Sequence, residues 1–292
     1  QEGQGVTRVS VSPSSNLKDL CDLGYHVDQN HNCVKCIPSS MKTTYKNIFN
    51  ENIDVMHIKG SGWDMGTIDH PGLPAVELDS LLKTKNLKKL DDFQMVNLQR
   101  KSLINSQSSN PSVETLLHAF LPYKYVDHTH SSAILGLIDQ PNDIQICKNT
   151  FGQKVGIVPY IIPGFDLAKL SDEIFKQNDD VIGLILLKHG IFTFGNDAKQ
   201  SYDRMINLVS VAEKKINSVK NKILNRQILN KKLSTNITND LFPLIRKNLS
   251  IKEKDGTYTK WILDLRVNDK ILKYLSHPNL KDYSARGPVT PD

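Results

Sequence analysis

Three histidines and one glutamate have the residue types and the spacing to bind a metal ion and to move a proton. His128 and His130 are separated by one residue, Glu114 precedes them in an apolar segment, and His189 follows farther along the chain. Three imidazoles can share one metal ion and leave a further position for water or a substrate oxygen. A carboxylate near such an ion can accept a proton. The four residues therefore indicate metal-assisted proton transfer.

Glu114 is predicted to lie in the first turn of a short helix. Asn110 is a good N-cap, Pro111 suits the first helical position, and Leu121-Pro122 ends the segment. A carboxylate at a helix start also complements the helix dipole, so a purely structural role for Glu114 stays open. His118 lies one turn further on the same face, where a hydrogen-bonded structural histidine is the simpler interpretation.

The histidines are predicted to lie on or at the end of β-strands. Residues 125–130 alternate with a period of two, which places both members of the His-x-His pair on one side of a strand. Residues 181–187 form a continuous apolar run typical of a buried strand. His189 follows at its end, and Gly190 permits a tight exit. We therefore expect His189 to supply the third imidazole.

A glycine-rich turn is a second candidate for ligand contact. A strand predicted over residues 54–59 runs directly into Gly60-Ser61-Gly62-Trp63-Asp64-Met65-Gly66. Glycines at this density let the backbone come close to a ligand, with N–H groups and the Ser61 hydroxyl available to an anionic oxygen. The turn is neither a Walker loop nor a dinucleotide fingerprint, so a simple chain reversal is the alternative interpretation.

Three of the four cysteines lie within the first forty residues. Cys21, Cys33 and Cys36, together with His26 and His31, offer enough soft ligands for a small zinc site. A disulfide of the kind found in secreted proteins is an alternative, although three cysteines leave one unpaired. Free thiols are the third interpretation. The pattern identifies no chemistry in this segment.

Composition narrows the classes of function. With 292 residues and 39% hydrophobic content the chain can bury a substantial core, and its net charge of +6 favours anionic partners such as phosphorylated metabolites. The aromatic residues are scattered singly, so we expect no nucleic-acid partner. No apolar run has the length of a membrane span, and no charged-then-apolar leader follows Gln1. We therefore expect no membrane association and a cytoplasmic location.

Helical and strand patterns alternate along the rest of the chain. Helices are predicted over residues 77–90, 91–104 and 198–224, and a strand over residues 157–162. Such alternation indicates a layered α/β domain. In the last third, short helical pieces are predicted around residues 241–249 and a strand at 261–265. The buried side of the long helix is predicted to carry Tyr202, Met205, Ile206, Val209, Ala212 and Ile216.

Several segments in a fixed order resemble the class II aldolase/adducin family. They read P-S-V-E-T-L-L-H-A-F-L-P, V-D-H-T-H, G-L-I-L-L-K-H-G-I-F-T-F-G and A-K-Q-S-Y-D-R-M-I, and K-G-S-G-W-D-M-G-T-I-D is similar as well. The sequence looks most like the rhamnulose-1-phosphate-aldolase-like domains that precede a short-chain dehydrogenase in longer proteins. The resemblance implies a three-layer α/β/α domain around a mainly antiparallel or mixed sheet.

The resemblance also implies a reaction and its residues. His128, His130 and His189 would bind a divalent ion, usually zinc, and Glu114 would be the general base that takes a proton from bound dihydroxyacetone phosphate. The substrate phosphate would be held with the help of Ser61, Gly62 and Ser112. The implied reaction is cleavage of a ketose 1-phosphate to dihydroxyacetone phosphate and an aldehyde through an enediolate. Epimerisation or dehydration of a sugar phosphate, and non-catalytic adducin-like self-association, are the alternatives.

The sequence departs from the family pattern at one point that bears on the phosphate. Where the family has a Gly-Gly-Asn loop, this chain has Ile37-Pro38-Ser39-Ser40, and only the serines match. The chain contains no G-x-G-x-x-G, so we expect no nucleotide cofactor and no dehydrogenase domain. The resemblance further implies a homotetramer. We divide the chain into an atypical segment 1–40, an aldolase-like domain 41–228, and a C-terminal extension 229–292 of that domain.

Overall fold

The computed structural model describes residues 25–27, 33–35, 37–65, 67–219, 235–265 and 267–285. The described residues up to Val219 belong to one compact unit and those after residue 234 to another. The domain boundary predicted at residue 228 lies outside the described residues. So do Cys21, Cys36 and His31, and with them the zinc or disulfide site considered for the cysteine-rich segment.

A seven-stranded sheet runs through the described part of the first unit in the order β5-β4-β3-β6-β9-β8-β7. Neighbouring strands are antiparallel except for β7 and β8, which are parallel. A separate antiparallel hairpin joins β1 (Tyr25–Val27) and β2 (Cys33–Lys35). The strands of the sheet are β3 (Ser40–Lys46), β4 (Asn52–Ile58), β5 (Ala75–Glu77), β6 (Tyr125–Thr129), β7 (Val155–Val158), β8 (Gly183–Leu186) and β9 (Gly190–Gly195).

Helices cover both faces of this sheet. They are α1 (Leu78–Lys83), α2 (Asp92–Lys101), α3 (Thr115–Phe120), α4 (Ser132–Ile138), α5 (Asp143–Phe151), α6 (Phe165–Gln177) and α7 (Ala198–Ser218). Side chains of α1, α2, α3 and α6 share one core cluster with the sheet, and those of α4, α5 and α7 share the other. Strand alternation explains the division, because Leu184 and Leu186 belong to the first cluster and Ile185 to the second. The expectation of a three-layer α/β/α domain with a mainly antiparallel sheet is confirmed.

Three predicted element boundaries in the first unit are wrong. The helix predicted over residues 77–90 ends as α1 at Lys83. Helix α3 begins at Thr115 and not at Pro111, because Pro111 lies in an antiparallel bridge with Gly60 and the chain is still extended there. Strand β7 ends at Val158, short of the predicted residue 162. Pro159 follows it, and a proline has no N–H to donate to a neighbouring strand.

The predicted buried side of α7 is only partly correct. Met205 and Ala212 are buried as expected, but Tyr202 and Ile206 are 37% and 48% exposed. The buried residues of the helix are Ala198, Ser201, Met205, Leu208 and Ala212. The helix lies so close to β9 that position 195 has no room for a side chain, since a Cβ on Gly195 would lie 2.8 Å from the backbone nitrogen of Ser201.

The second unit contains α8 (Thr235–Leu249), α9 (Asp269–Leu275) and α10 (Leu280–Ser284), with a short antiparallel pair formed by β10 (Ile251–Lys252) and β11 (Tyr258–Thr259). The helix predicted around residues 241–249 is confirmed as part of α8. The strand predicted at 261–265 is wrong, and Trp261 Nε1 instead donates to the carbonyl oxygen of Leu249 at 3.0 Å. In the part of the chain that the structure describes, no helix combines the length and hydropathy needed to span a membrane.

Candidate metal centre

The structure brings Glu114, His128, His130 and His189 together, with one ligand atom from each residue inside a group in which all atoms lie within 4.8 Å of one another. His128 Nε2 lies 2.9 Å from His130 Nε2 and 3.2 Å from Glu114 Oε2. His189 Nε2 lies 2.8 Å from Glu114 Oε1. The four residues that the sequence singled out therefore converge on one point between α3, β6 and the start of β9.

The unsatisfied polar atoms of this cluster fit a metal ion. Glu114 Oε1 and both ring nitrogens of His189 are buried without a hydrogen-bond partner among the described residues, although Oε1 and Nε2 are 2.8 Å apart. Buried polar atoms normally have a partner, and a carboxylate oxygen and an imidazole nitrogen at this distance can share a proton or, with the other ligand atoms around them, a metal ion. Three imidazoles and a carboxylate are ligands that zinc and other divalent metals accept.

Electrostatics keep the cluster in the form that binds metal. Burial acts to raise the pKa of the Glu114 carboxyl, but the neighbouring imidazoles of His128 and His189 lower that pKa to about 2. Burial lowers the pKa of His128 to about 4. At neutral pH the carboxylate is thus ionised and His128 is uncharged, which are the protonation states that a cation requires of its ligands.

Contacts behind the cluster fix the ring of His128. Its Nδ1 lies 3.0 Å from the carbonyl oxygen of Ile191, which leaves Nε2 to face the centre. The ring stacks on Phe192, with centroids 4.1 Å apart and an interplanar angle of 20°. Both contacts come from β9, which is paired with β6 so that His128 lies opposite Phe192. A metal-binding histidine is commonly oriented in this way through its second ring nitrogen.

His189 is held by a tight turn between β8 and β9. The preceding residue, Lys188, has a φ of 59°, in the left-handed region that side chains other than glycine rarely adopt. Gly190 has no room for a side chain, because a Cβ there would lie 2.7 Å from the carbonyl oxygen of Thr129 and 2.9 Å from His130 Cδ2. The tight exit predicted at Gly190 is therefore present, and it lets β9 pass close beside the His-x-His pair.

Glu114 is positioned by a stretch of extended chain that is hydrogen-bonded to the glycine-rich turn. It is the N-cap residue of α3, and its N–H donates to Ser112 Oγ at 3.3 Å. Ser112 N–H donates to the carbonyl oxygen of Lys59 at 3.0 Å, and Ser61 N–H donates to that of Asn110 at 2.8 Å. These bonds bring the two stretches that the sequence marked as candidates to the same side of the domain.

A cavity of about 650 Å³ lies next to the cluster. The residues predicted to bind substrate, Ser61, Gly62 and Ser112, line this cavity together with Glu114 and His128. Gly62 has a φ of +80°, a conformation that glycine adopts without strain. The candidate metal ligands and the candidate anion-binding groups therefore share one opening.

Lys59 also lines the cavity, and the sequence interpretation did not include it. Its signal in the sequence was its position directly before the glycine-rich turn, where a flexible ammonium group can accompany backbone N–H donors. A lysine on a strand that alternates is easily taken for a solvent-facing residue. In the structure Lys59 supplies a positive charge beside the serine hydroxyls.

The hydroxyls of Ser39 and Ser40 are used within the protein. Ser39 Oγ accepts a hydrogen bond from His128 N–H at 3.1 Å, and Ser40 Oγ lies 2.8 Å from His118 Nδ1. His118 is buried, and this burial lowers its pKa to about 3. The hydrogen bond expected of His118 is therefore present, and the residue also lines the cavity next to the cluster.

With this fold and this cluster of side chains, the chain belongs to the class II aldolase and adducin family. The family pattern described as the class II aldolase and adducin N-terminal domain matches residues 48–216, which include all four candidate ligands. The family resemblance predicted from the sequence is therefore confirmed.

Individual relatives agree with the assignment. The chain is 32% identical over 262 residues to the Bacillus subtilis (strain 168) protein named uncharacterized oxidoreductase YuxG. The aligned region covers 87% of this chain and 37% of that protein. It is 34% identical to the solved N-terminal class II aldolase domain of a conserved protein from Thermoplasma acidophilum, with a TM-score of 0.59 over 73% of this chain and 100% of that one. The oxidoreductase name is consistent with the resemblance to aldolase-like domains that precede a dehydrogenase.

Proposed function

We propose that this protein is a metal-dependent aldolase that cleaves a ketose 1-phosphate to dihydroxyacetone phosphate and an aldehyde. One observation carries the proposal: an ionised glutamate and three imidazoles converge beside a cavity whose remaining lining offers donors to an anion. Membership of the class II aldolase and adducin family supports the reaction class. The activity of the full-length Bacillus protein is not part of the proposal, because this chain spans 37% of the length of that protein.

A divalent ion, zinc in our proposal, would be held by His128, His130 and His189, with Glu114 within reach of the same position. When bound, such an ion supplies Lewis-acid polarisation of a substrate carbonyl. The imidazoles are suited to hold it because burial keeps His128 uncharged at neutral pH.

Glu114 is assigned the proton transfer. In the direction of condensation its carboxylate removes a proton from the hydroxymethyl carbon of dihydroxyacetone phosphate, which leaves an enediolate that attacks the aldehyde carbon. In the direction of cleavage the carboxylate takes the proton of the hydroxyl on the carbon that becomes the aldehyde, the bond between the two carbons breaks to leave the aldehyde and the enediolate, and Glu114 delivers that proton to the enediolate carbon. The low pKa of Glu114 means that the carboxylate is ionised at neutral pH and has a free lone pair for the proton.

The substrate phosphate is assigned to the other side of the cavity. The backbone N–H groups of Ser61 and Ser112 already donate to carbonyl oxygens of the protein. We therefore assign the phosphate to the two serine hydroxyls, to the N–H of Gly62 and to the ammonium group of Lys59, all of which belong to residues that line the cavity. An ammonium group and neutral donors together match a phosphate dianion.

The test is a retro-aldol assay on a panel of ketose 1-phosphates with the parent and the variant Glu114→Gln, both saturated with zinc. We expect the parent to release dihydroxyacetone phosphate from at least one ketose, and the variant to lose roughly 100-fold or more in kcat because a neutral amide cannot take the proton. The exposed residue Glu213 provides a matched control, Glu213→Gln, which should leave kcat unchanged.

Three outcomes would contradict the assignment. Equal kcat values for the parent and Glu114→Gln at equal metal content would remove Glu114 from the proton transfer. A parent that binds zinc but cleaves none of the ketoses would exclude the aldolase reaction on this substrate class. A parent that binds no metal would instead favour the non-catalytic, adducin-like alternative.

A further inference from the structure

Ser39 makes hydrogen bonds to both sides of the candidate site. Its Oγ accepts from the N–H of His128 at 3.1 Å, and its carbonyl oxygen accepts from the N–H of Lys59 at 2.9 Å. The first bond reaches the strand that carries two of the candidate ligands. The second reaches the residue that begins the glycine-rich turn. Ser39 is buried, with 6% of its surface exposed, so these bonds do not compete with bulk water.

Asp127 holds Ser39 in this position. Its Oδ1 accepts from Ser39 N–H at 3.1 Å, and its Oδ2 accepts from Ser201 Oγ at 2.6 Å. Alternation along β6 turns Asp127 to the opposite side of the strand from His128, toward α7, where Ser201 is fully buried. Hydrogen bonds to a carboxylate are stronger than those between neutral groups. Asp127 therefore connects Ser39 to a long helix that packs on the sheet.

We propose that Asp127 is a positioning residue that acts through Ser39 and keeps the candidate metal ligand His128 aligned with the anion-binding turn that begins at Lys59. Two consecutive residues of β6 then have different roles. His128 faces the metal position, and Asp127 holds Ser39 on the opposite side of the strand. The hydroxyls of Ser39 and Ser40 both have partners within the protein, and Ser39 also lines the cavity. This inference rests on the proposed function, because it concerns the alignment of the same site.

A series of variants distinguishes an effect on the alignment of His128 from the general effect of removing a buried polar group. Asp127→Ala removes both acceptors, whereas Asp127→Asn keeps a carbonyl oxygen for Ser39 N–H and gains an amide that can donate to Ser201 Oγ. Ser39→Ala removes the hydroxyl that accepts from His128 N–H. The control Thr150→Val removes another partly buried hydroxyl, which donates to the carbonyl oxygen of Ile146 in α5 at 2.7 Å.

The first readout is the Kd for zinc, measured by competition with a chromophoric chelator. We expect Asp127→Ala and Ser39→Ala to weaken zinc binding about 10- to 100-fold, the usual effect of residues that orient a ligand. Asp127→Asn should restore the affinity to within about threefold of the parent, because its hydrogen bonds are retained. Thr150→Val should not change it.

The second readout, hydrogen exchange of single backbone amides in the metal-free protein, does not depend on metal. We expect the His128 N–H to exchange at least about tenfold faster in both Asp127→Ala and Ser39→Ala, and the Lys59 N–H to do so in Asp127→Ala. If the parent binds no zinc, the proposed function fails and the exchange rates alone decide this inference.

An unchanged Kd for zinc together with unchanged amide exchange rates would overturn the inference. A folded Asp127→Ala variant with zinc affinity and exchange rates within about twofold of the parent would show that Ser39 holds its place without the carboxylate. Should Asp127→Ala fail to fold, Ser39→Ala decides the matter, since it leaves the backbone and Asp127 in place. A His128 N–H that is equally protected in Ser39→Ala would contradict the proposed alignment.

Discussion

His118, which is buried, and His128, which is partly buried, take different roles because their neighbours differ. His118 has the Ser40 hydroxyl 2.8 Å from Nδ1, and its ring meets Phe192 edge to face at 5.1 Å between centroids. His128 stacks on the ring of Phe192, and its Nε2 faces Glu114 and His130. The first histidine stabilises the core in a neutral form, and the second presents a lone pair to the candidate metal position.

The neutral state of His118 predicts a loss of stability in acid. Burial lowers the pKa of His118 to about 3, whereas an unfolded histidine titrates near 6.5. The unfolded chain therefore takes up a proton below about pH 6.5 that the native state excludes, so the contribution of His118 is complete above that pH and decreases toward pH 3. We expect the variant His118→Gln to lose about 2 kcal/mol less stability than the metal-free parent between pH 7 and pH 5.

Urea unfolding of both proteins at pH 7 and pH 5 measures this difference. The parent and the variant share His128, whose pKa is lowered to about 4 by burial, so its effect cancels in the comparison. A parent and a variant with the same loss of stability between the two pH values would show that His118 is protonated in the native state.

At the scale of the elements, the contact between β6 and β9 controls the geometry of the candidate ligands. Gly190 lies where these strands approach, and a Cβ on it would come within 2.7 Å of the carbonyl oxygen of Thr129. We expect Gly190→Ala to destabilise the protein by about 1–3 kcal/mol and to weaken zinc binding by at least about tenfold, because the strands must separate. Thermal unfolding and chelator competition measure the two effects.

Gly136 in α4 provides the control for this substitution. A Cβ there would meet Ile216 Cδ1 at 3.1 Å, the end of a flexible side chain, so Gly136→Ala should change zinc affinity by less than about twofold. If Gly190→Ala were as harmless as Gly136→Ala, the close approach of β6 and β9 would not be what aligns the histidines.

Hydrophobic alternation predicted β6, because a half-buried strand turns every second residue inward, and a continuous apolar run predicted β8, because a strand covered on both faces is apolar throughout. It failed where long-range pairing decides the local structure. Asn110 and Pro111 have the residue types of a helix start, yet the bridge to Gly60 keeps the chain extended and moves the start of α3 to Thr115. The sequence contains no local sign of that bridge.

Some residues of the candidate site were likewise predicted from the sequence, and others were not. His128, His130 and His189 were predicted from spacing and from their positions at strand ends, and Glu114 from its place before an apolar helix. Lys59 was missed, and so was the connection of Ser39 to Asp127, whose two partners are separated by 88 positions in the chain. Contacts of that kind depend on the assembled sheet and leave no periodic pattern.

At the scale of the whole molecule, one sheet with helices on both faces places the candidate ligands at its centre, since β6 and β9 are inner strands. The family match over residues 48–216 covers most of that sheet. The homotetramer, the cytoplasmic location and the absence of a nucleotide cofactor stay predictions. The second unit supplies none of the candidate ligands found in the described residues, so the central claim concerns the first unit.

That claim is that His128, His130 and His189 hold a divalent metal ion beside Glu114. Elemental analysis of protein purified in the presence of zinc and then freed of unbound metal tests it most directly. We predict about one ion per chain in the parent and in the control His70→Ala, whose side chain is exposed, and less than about a tenth of an ion in His128→Ala and His189→Ala. A parent without metal, or histidine variants that keep the full amount, would contradict the account.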